Sequence, residues 1–174
     1  MTEDTTFLYF AYGSNMSTAR LRQRTPSAQP MGIGQLKGHR LMFHKVGRDC
    51  SAKCDIVTSA ESDLVWGVLF EVALKDKPSL DRAEGLGNGY EYKKVEVMSN
   101  RETVTAGTYY ATHIDPGLLP FDWYLNFVLQ GATEHRLPSE YIKKIASVKA
   151  IKDPNKERSL QNISILKDHK KTTE

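Results

Sequence analysis

Two short stretches of the chain hold residue types that could do chemistry. In LDRAEGLGNG, residues 80–89, Glu84 stands immediately before Gly85. Residues 77–84 (KPSLDRAE) read as a short helix, with Pro78 and Ser79 suited to its first turn and Gly85 to the position just past its end. A carboxylate in that last turn faces the negative end of the helix dipole. Partial burial would act in the same direction, disfavouring the anion and raising the pKa. A carboxyl so tuned can work as base and then as acid near neutral pH. An exposed glutamate before a helix-ending glycine is equally a common surface arrangement, and this segment alone does not separate the two. Asp81, three residues earlier on the same face, reads as structural or as a minor neighbour.

The second stretch is FLYFAYGSNM, residues 7–16. Residues 7–12 are aromatic or apolar, as in a buried strand. Gly13, Ser14 and Asn15 follow at once, suited to a turn and a helix cap. A strand that ends in such an elbow and leads into a helix presents backbone N–H groups that could bind an anion, with Ser14 and Asn15 adding side-chain groups. The pattern alone favours a plain helix cap over an anion site. Ser14 makes a poor nucleophile on sequence grounds, because Gly-x-Ser-x-Gly is absent and no histidine neighbours it.

Other combinations carry less. Cys50 and Cys54 have no second ligand pair at conventional metal spacing, so no metal is expected. Gly85, Gly87 and Gly89 could close a loop on a small ligand but do not form G-x-G-x-x-G, and Gly32-x-Gly34 precedes a strand rather than a helix. No nucleotide cofactor follows from either.

Several elements must position these residues. Residues 17–24 read as a helix, 33–43 as one strand, 47–53 as a polar loop, 56–58 as a short strand and 65–72 (VWGVLFEV) as a strong buried strand. Strands are expected over 92–98 and 103–112 with a turn between them. Amphipathic helices are expected over 123–130 and 139–148, with Gly131 stopping the first and Pro138 opening the second. Most spacings between strands are too short for βαβ crossovers. The expected class is therefore α+β, a mixed or mostly antiparallel sheet curled into a small barrel flanked by helices. Residues 1–150 are expected to form one domain, and 151–174, charged and poor in large apolar residues, a mobile tail.

The totals fit that picture. The chain has 174 residues, enough for one core, with a formal net charge of +3 and its basic residues scattered along the sequence. This balance argues against a nucleic-acid partner. The opening MTEDTT is no signal peptide, and the longest apolar run is too short to span a bilayer. A soluble, cytoplasmic protein without a membrane partner is expected, as a monomer or weak homodimer.

Four segments in order, FAYGSNM, VWGVLFEV, LDRAEG followed by YEYKKVEV, and GATEHRLPSEYI, resemble the γ-glutamylcyclotransferase-like (AIG2-like) family. The resemblance covers roughly residues 7–148. It implies a small mixed β-barrel flanked by helices and cleavage of a γ-glutamyl amide by the substrate's own α-amine. The implied products are 5-oxoproline and a free amine or amino acid, with no cofactor. It assigns the catalytic carboxylate to Glu84 and the substrate loop to Tyr12, Gly13, Ser14 and Asn15. A further pocket tyrosine is best matched by Tyr109, with Tyr110 beside it left open. The segment from Cys50 to Cys54 has no clear counterpart and reads as a variable loop near the site. Met16 stands where many relatives have Leu. Two alternatives remain: a non-catalytic small-molecule binding module of the same fold, and a Ser14-dependent γ-glutamyl amide hydrolase.

Overall fold

The computed structural model describes residues 5–172. Strand β1 (Thr6–Ala11) is rich in aromatic residues and is buried over its second half. It pairs antiparallel with β5 (Leu64–Ala73), Phe10 opposite Leu69, and runs parallel to β7 (Glu102–Ala111) at Tyr9 and Gly107. With β2 (Gln29–Lys37) and β6 (Tyr90–Ser99) these strands close into a mixed barrel of order β1-β5-β2-β6-β7. Closure leaves no free sheet edge in the barrel. Phe10, Val68, Phe70, Val72 and Val97 are fully buried. Each contributes about 1.5–3 kcal/mol by leaving water.

A separate two-stranded ladder, β3 (His39–Val46) with β4 (Ala52–Thr58), stands beside the barrel. The run expected as one strand over 33–43 is therefore two, β2 and β3, divided at Gly38. Its φ of 69° is a turn conformation that glycine adopts freely. Likewise the sequence over 52–58 is one strand. Cys54 lies inside β4 and is buried, so it does not belong to a variable loop. His44 and Asp55 tie this ladder together, and Asp55 also accepts a hydrogen bond from the Ala111 N–H of β7.

Among the described residues five α-helices pack around the strands. Helix α1 (Thr18–Arg24) follows the elbow and α2 (Lys77–Glu84) has the extent the sequence indicates. Helix α3 (Asp122–Glu134) buries Trp123, Tyr124, Phe127 and Val128. It runs through Gly131 instead of stopping there. A Cβ at Gly131 would lie 2.4 Å from the Met16 carbonyl carbon, so the glycine serves close packing and not helix termination. Helix α4 (Ser139–Ala146) buries Ile145. Residues expected as a charged tail form α5 (Lys156–Thr172). It packs Ile163, Ile165 and Leu166 against the core, and at its start Arg158 grips the buried Asp153 with two hydrogen bonds of 2.6 Å. These few apolar side chains and one ion pair are too sparse to mark the helix by composition.

Candidate active site

The elbow forms where β1 leaves the barrel. Residues Ser14–Met16 make a single 3-10 turn, and Ser17 then caps α1 by accepting the Arg20 N–H at 3.4 Å. The side of α3 at Gly131 lies directly on Met16 and Ser17 and holds the turn in place. Ser14 and Asn15 are buried, so these polar side chains need internal partners. Ser14 Oγ accepts from Arg20 Nε at 3.2 Å. Its partner is a cation, which supplies no base to activate a serine nucleophile.

Helix α2 brings the carboxylate to this elbow. Fully buried Leu80 anchors it, and Gly85, with φ of 75°, ends it in the left-handed conformation. The N–H groups of Gly85 and Leu86 turn back onto Arg82 and Asp81 carbonyls. Glu84 thus sits in the last turn with its side chain only 15% exposed. Asn15 Nδ2 donates to Glu84 Oε1 and, at 3.2 Å, to the Tyr9 hydroxyl. Asn15 Oδ1 accepts from Arg24 Nη1 at 3.0 Å, and the same Nη1 lies 3.9 Å from Glu84 Oε1. With both amide ends committed, Asn15 has one orientation. Burial raises the Glu84 pKa, and it outweighs the opposing pull of Arg24, Arg20, Lys45 and the Asn15 amide.

Tyr109 on β7 borders the same space. Its hydroxyl donates to Asp81 Oδ1 at 2.5 Å, and Lys77 holds the same carboxylate at 2.9 Å. Burial and this hydrogen bond push the phenol's pKa up. Its proton is committed, so toward a bound molecule Tyr109 presents an acceptor lone pair and an aromatic edge. Tyr12 donates its hydroxyl to the Tyr109 carbonyl at 2.6 Å and forms an adjacent wall. Tyr110 does not line this space; Lys93 lies 5.2 Å over its ring.

All six residues singled out from the sequence, Tyr12, Gly13, Ser14, Asn15, Glu84 and Tyr109, line one inner niche of about 30 Å³. That volume suits a water or a single oxygen-bearing group rather than a whole metabolite. An outer chamber of about 380 Å³ adjoins the niche, and Ser14, Glu84, Tyr90 and Tyr124 border both. Glu84 therefore stands at the junction, accessible from the larger space.

Sequence reasoning missed several lining residues. Tyr9 reads as core, yet its hydroxyl receives the Asn15 amide. Cys54 reaches the niche only because β4 crosses beside the elbow. There Tyr124 Oη accepts the Cys54 N–H at 2.9 Å and the Tyr90 hydroxyl donates to the Cys54 carbonyl. Six cations line the outer chamber, Arg20, Arg24, Lys45, Arg48, Lys53 and Arg158. The scattered positions of these residues in sequence gave no sign of their convergence. Among the described residues no group of three or more His, Cys, Asp and Glu side chains could hold a metal ion, and no helix is long and apolar enough to cross a membrane.

A closed mixed barrel with a half-sealed carboxylate facing a Tyr-Gly-Ser-Asn elbow defines a class of small barrel enzymes. A model of the AIG2-like family matches residues 64–145. The bovine (Bos taurus) protein named gamma-glutamylcyclotransferase is 34% identical over 149 residues, 82% of this chain and 78% of that protein. The mouse (Mus musculus) protein of the same name is 33% identical over 153 residues, covering 84% and 80%. A solved structure described as a gamma-glutamyl cyclotransferase superposes with a TM-score of 0.83 at 29% identity, covering 91% of this chain and 98% of that one. The chain belongs to the γ-glutamylcyclotransferase family of enzymes.

Proposed function

We propose that the protein cleaves a γ-glutamyl amide by intramolecular cyclisation, with Glu84 as general base and then general acid. The observation that carries this reading is the position of Glu84, a carboxyl with a raised pKa, at the junction of niche and chamber. The α-amine of a γ-glutamyl group is mostly protonated at neutral pH, its reference pKa being about 7.7–8.0. The ammonium first gives one proton to solvent. The amine nitrogen then attacks the γ-carbonyl carbon, a nitrogen–carbon bond forms, the carbonyl oxygen becomes an oxyanion, and Glu84 accepts the second proton that the attacking nitrogen sheds. As the original amide bond breaks, Glu84 returns the proton to the departing nitrogen. The products are 5-oxoproline and a free amine or amino acid.

The attack closes a five-membered ring, so the nucleophile is already tethered, and effective molarities for well-oriented cases reach about 10⁵ M or more. The protein's remaining work is to fold the substrate and stabilise the oxyanion. The leading N–H groups of the 3-10 turn have no partner within it, and the Arg20 guanidinium stands directly behind Ser14. Both favour an anion at the elbow, either the glutamyl α-carboxylate or the oxyanion. Tyr12 and Tyr109 wall the niche.

The test is 5-oxoproline release from a panel of γ-glutamyl compounds by wild type and by Glu84→Gln. Release by wild type with at least a thousandfold loss in the variant supports the assignment. A variant near wild-type activity removes Glu84 from the mechanism, and release of free glutamate replaces cyclisation by hydrolysis.

A further inference from the structure

The outer chamber is more basic than a γ-glutamyl amide of a neutral amine needs. Of its six cations, three are matched by carboxylates. Arg158 holds Asp153 through two hydrogen bonds of 2.6 Å, Lys53 holds Asp49 at 2.8 Å, and Arg24 lies 3.9 Å from Glu84. The matching acids have little left to give. Asp49 Oδ1 also accepts from the Ser51 N–H and hydroxyl, and Asp153 also accepts from Trp123 Nε1 and the Asn155 N–H.

Arg20, Lys45 and Arg48 form no ion pair with a carboxylate among the described residues. The hydrogen-bond and ring partners of Arg20 are neutral: Ser14, Asn162, the Trp123 ring and the Phe127 ring, 4.4 Å from its guanidinium carbon. Lys45 is buried, with its ammonium 4.6 Å from the centre of the Tyr90 ring. Both Lys45 and Arg48 flank the loop after Glu84. A Cβ at Gly85 would sit 3.6 Å from Arg48 Nη2, and one at Gly89 would sit 3.1 Å from Lys45 Nζ. Arg48 disfavours the charge on Lys45, and the two acids that favour it, Glu84 and Asp49, are already engaged by Arg24 with Asn15 and by Lys53.

We infer that the chamber is built for a γ-glutamyl amide whose leaving group carries two carboxylates, an acidic α-amino acid. This rests on the cyclisation reading of the same site. With the glutamyl α-carboxylate as the anion at the elbow and Arg20, the charges balance one to one, since the two carboxylates of the leaving amino acid face Lys45 and Arg48. The volume of about 380 Å³ lies in the range of small-molecule sites and admits a dipeptide-sized ligand. Arg48 and Lys45 are binding residues of the leaving group and take no part in proton transfer.

The experiment compares γ-glutamyl-aspartate with γ-glutamyl-asparagine, a near isostere with one charge fewer. Two readouts are taken: 5-oxoproline release by wild type, and calorimetric binding to the full-length Glu84→Gln protein, in which the uncleaved peptide persists. A charge-assisted contact predicts about tenfold preference for the aspartate peptide in both. The preference narrows in Arg48→Gln and Lys45→Gln, and it weakens as salt rises. Equal turnover and equal binding of the two peptides overturn the inference while leaving cyclisation intact. Preferential binding without 5-oxoproline from either peptide supports the acidic subsite and overturns the reaction. Absence of binding by both peptides overturns the subsite.

Discussion

Asn15 has both ends of its amide committed, to Glu84 and Tyr9 on one side and to Arg24 on the other. It is the residue through which the elbow addresses the carboxyl. Its hydrogen bond lowers the Glu84 pKa, against the stronger upward push of burial. Asn15→Ala is therefore expected to move the acid limb of the kcat/KM profile to higher pH, since less of the carboxyl is ionised at any given pH. The loss of positioning is expected to reduce kcat/KM by about tenfold to a hundredfold. A pH–rate profile with an unmoved limb would separate Asn15 from Glu84. The same burial has a stability consequence. A carboxyl whose folded pKa is raised binds its proton more tightly in the folded state, so stability falls as pH rises through that pKa. Glu84→Gln should then melt at or above the wild-type temperature at pH 7, and its advantage should vanish below the unfolded glutamate pKa. A lower melting temperature for the variant at neutral pH would contradict this.

At the scale of elements, the site depends on two helix placements. Leu80 and Gly85 fix the last turn of α2, which carries Glu84, and α3 presses its Gly131 against the elbow. Gly131→Ala puts a methyl group 2.4 Å from the Met16 backbone, where no flexible side chain can yield. Overpacking of this kind costs about 1–3 kcal/mol, and each kcal/mol lowers Tm by about 2–4 °C in a chain of this size. The elbow should shift with α3, so kcat should fall together with Tm in thermal melts and assays of one preparation. A variant with unchanged Tm would show that α3 can move away without cost. Helix α5 matters in the same way, because its Asn162 holds Arg20 and its Arg158 borders the chamber.

Across the whole molecule, the two cysteines show how position overrides composition. Cys50 is exposed, while Cys54 lies in β4 beneath the elbow, where burial pushes its thiol up to about 12. Since the thiolate is the reactive form, one thiol should alkylate at pH 8 in the native protein and the second only after unfolding. Two rapid equivalents under native conditions would refute that. The same principle governs charge. A formal net charge of +3 is mild, yet cations from residues 20 to 158 converge on one chamber. The sequence by itself determined the buried β1 and β5, the extent of α2 with its glycine stop, the elbow and the candidacy of Glu84. All of these rest on local patterning: apolar runs, a helix-ending glycine, turn residues after a strand. Tertiary structure alone decided the division at Gly38, the passage of α3 through Gly131, the helical state of residues 156–172, and the arrival of Tyr9, Cys54, Arg24 and the basic chamber at the site. Each of those depends on which surfaces meet across the closed barrel, and contacts between residues far apart in the chain leave no periodicity in it.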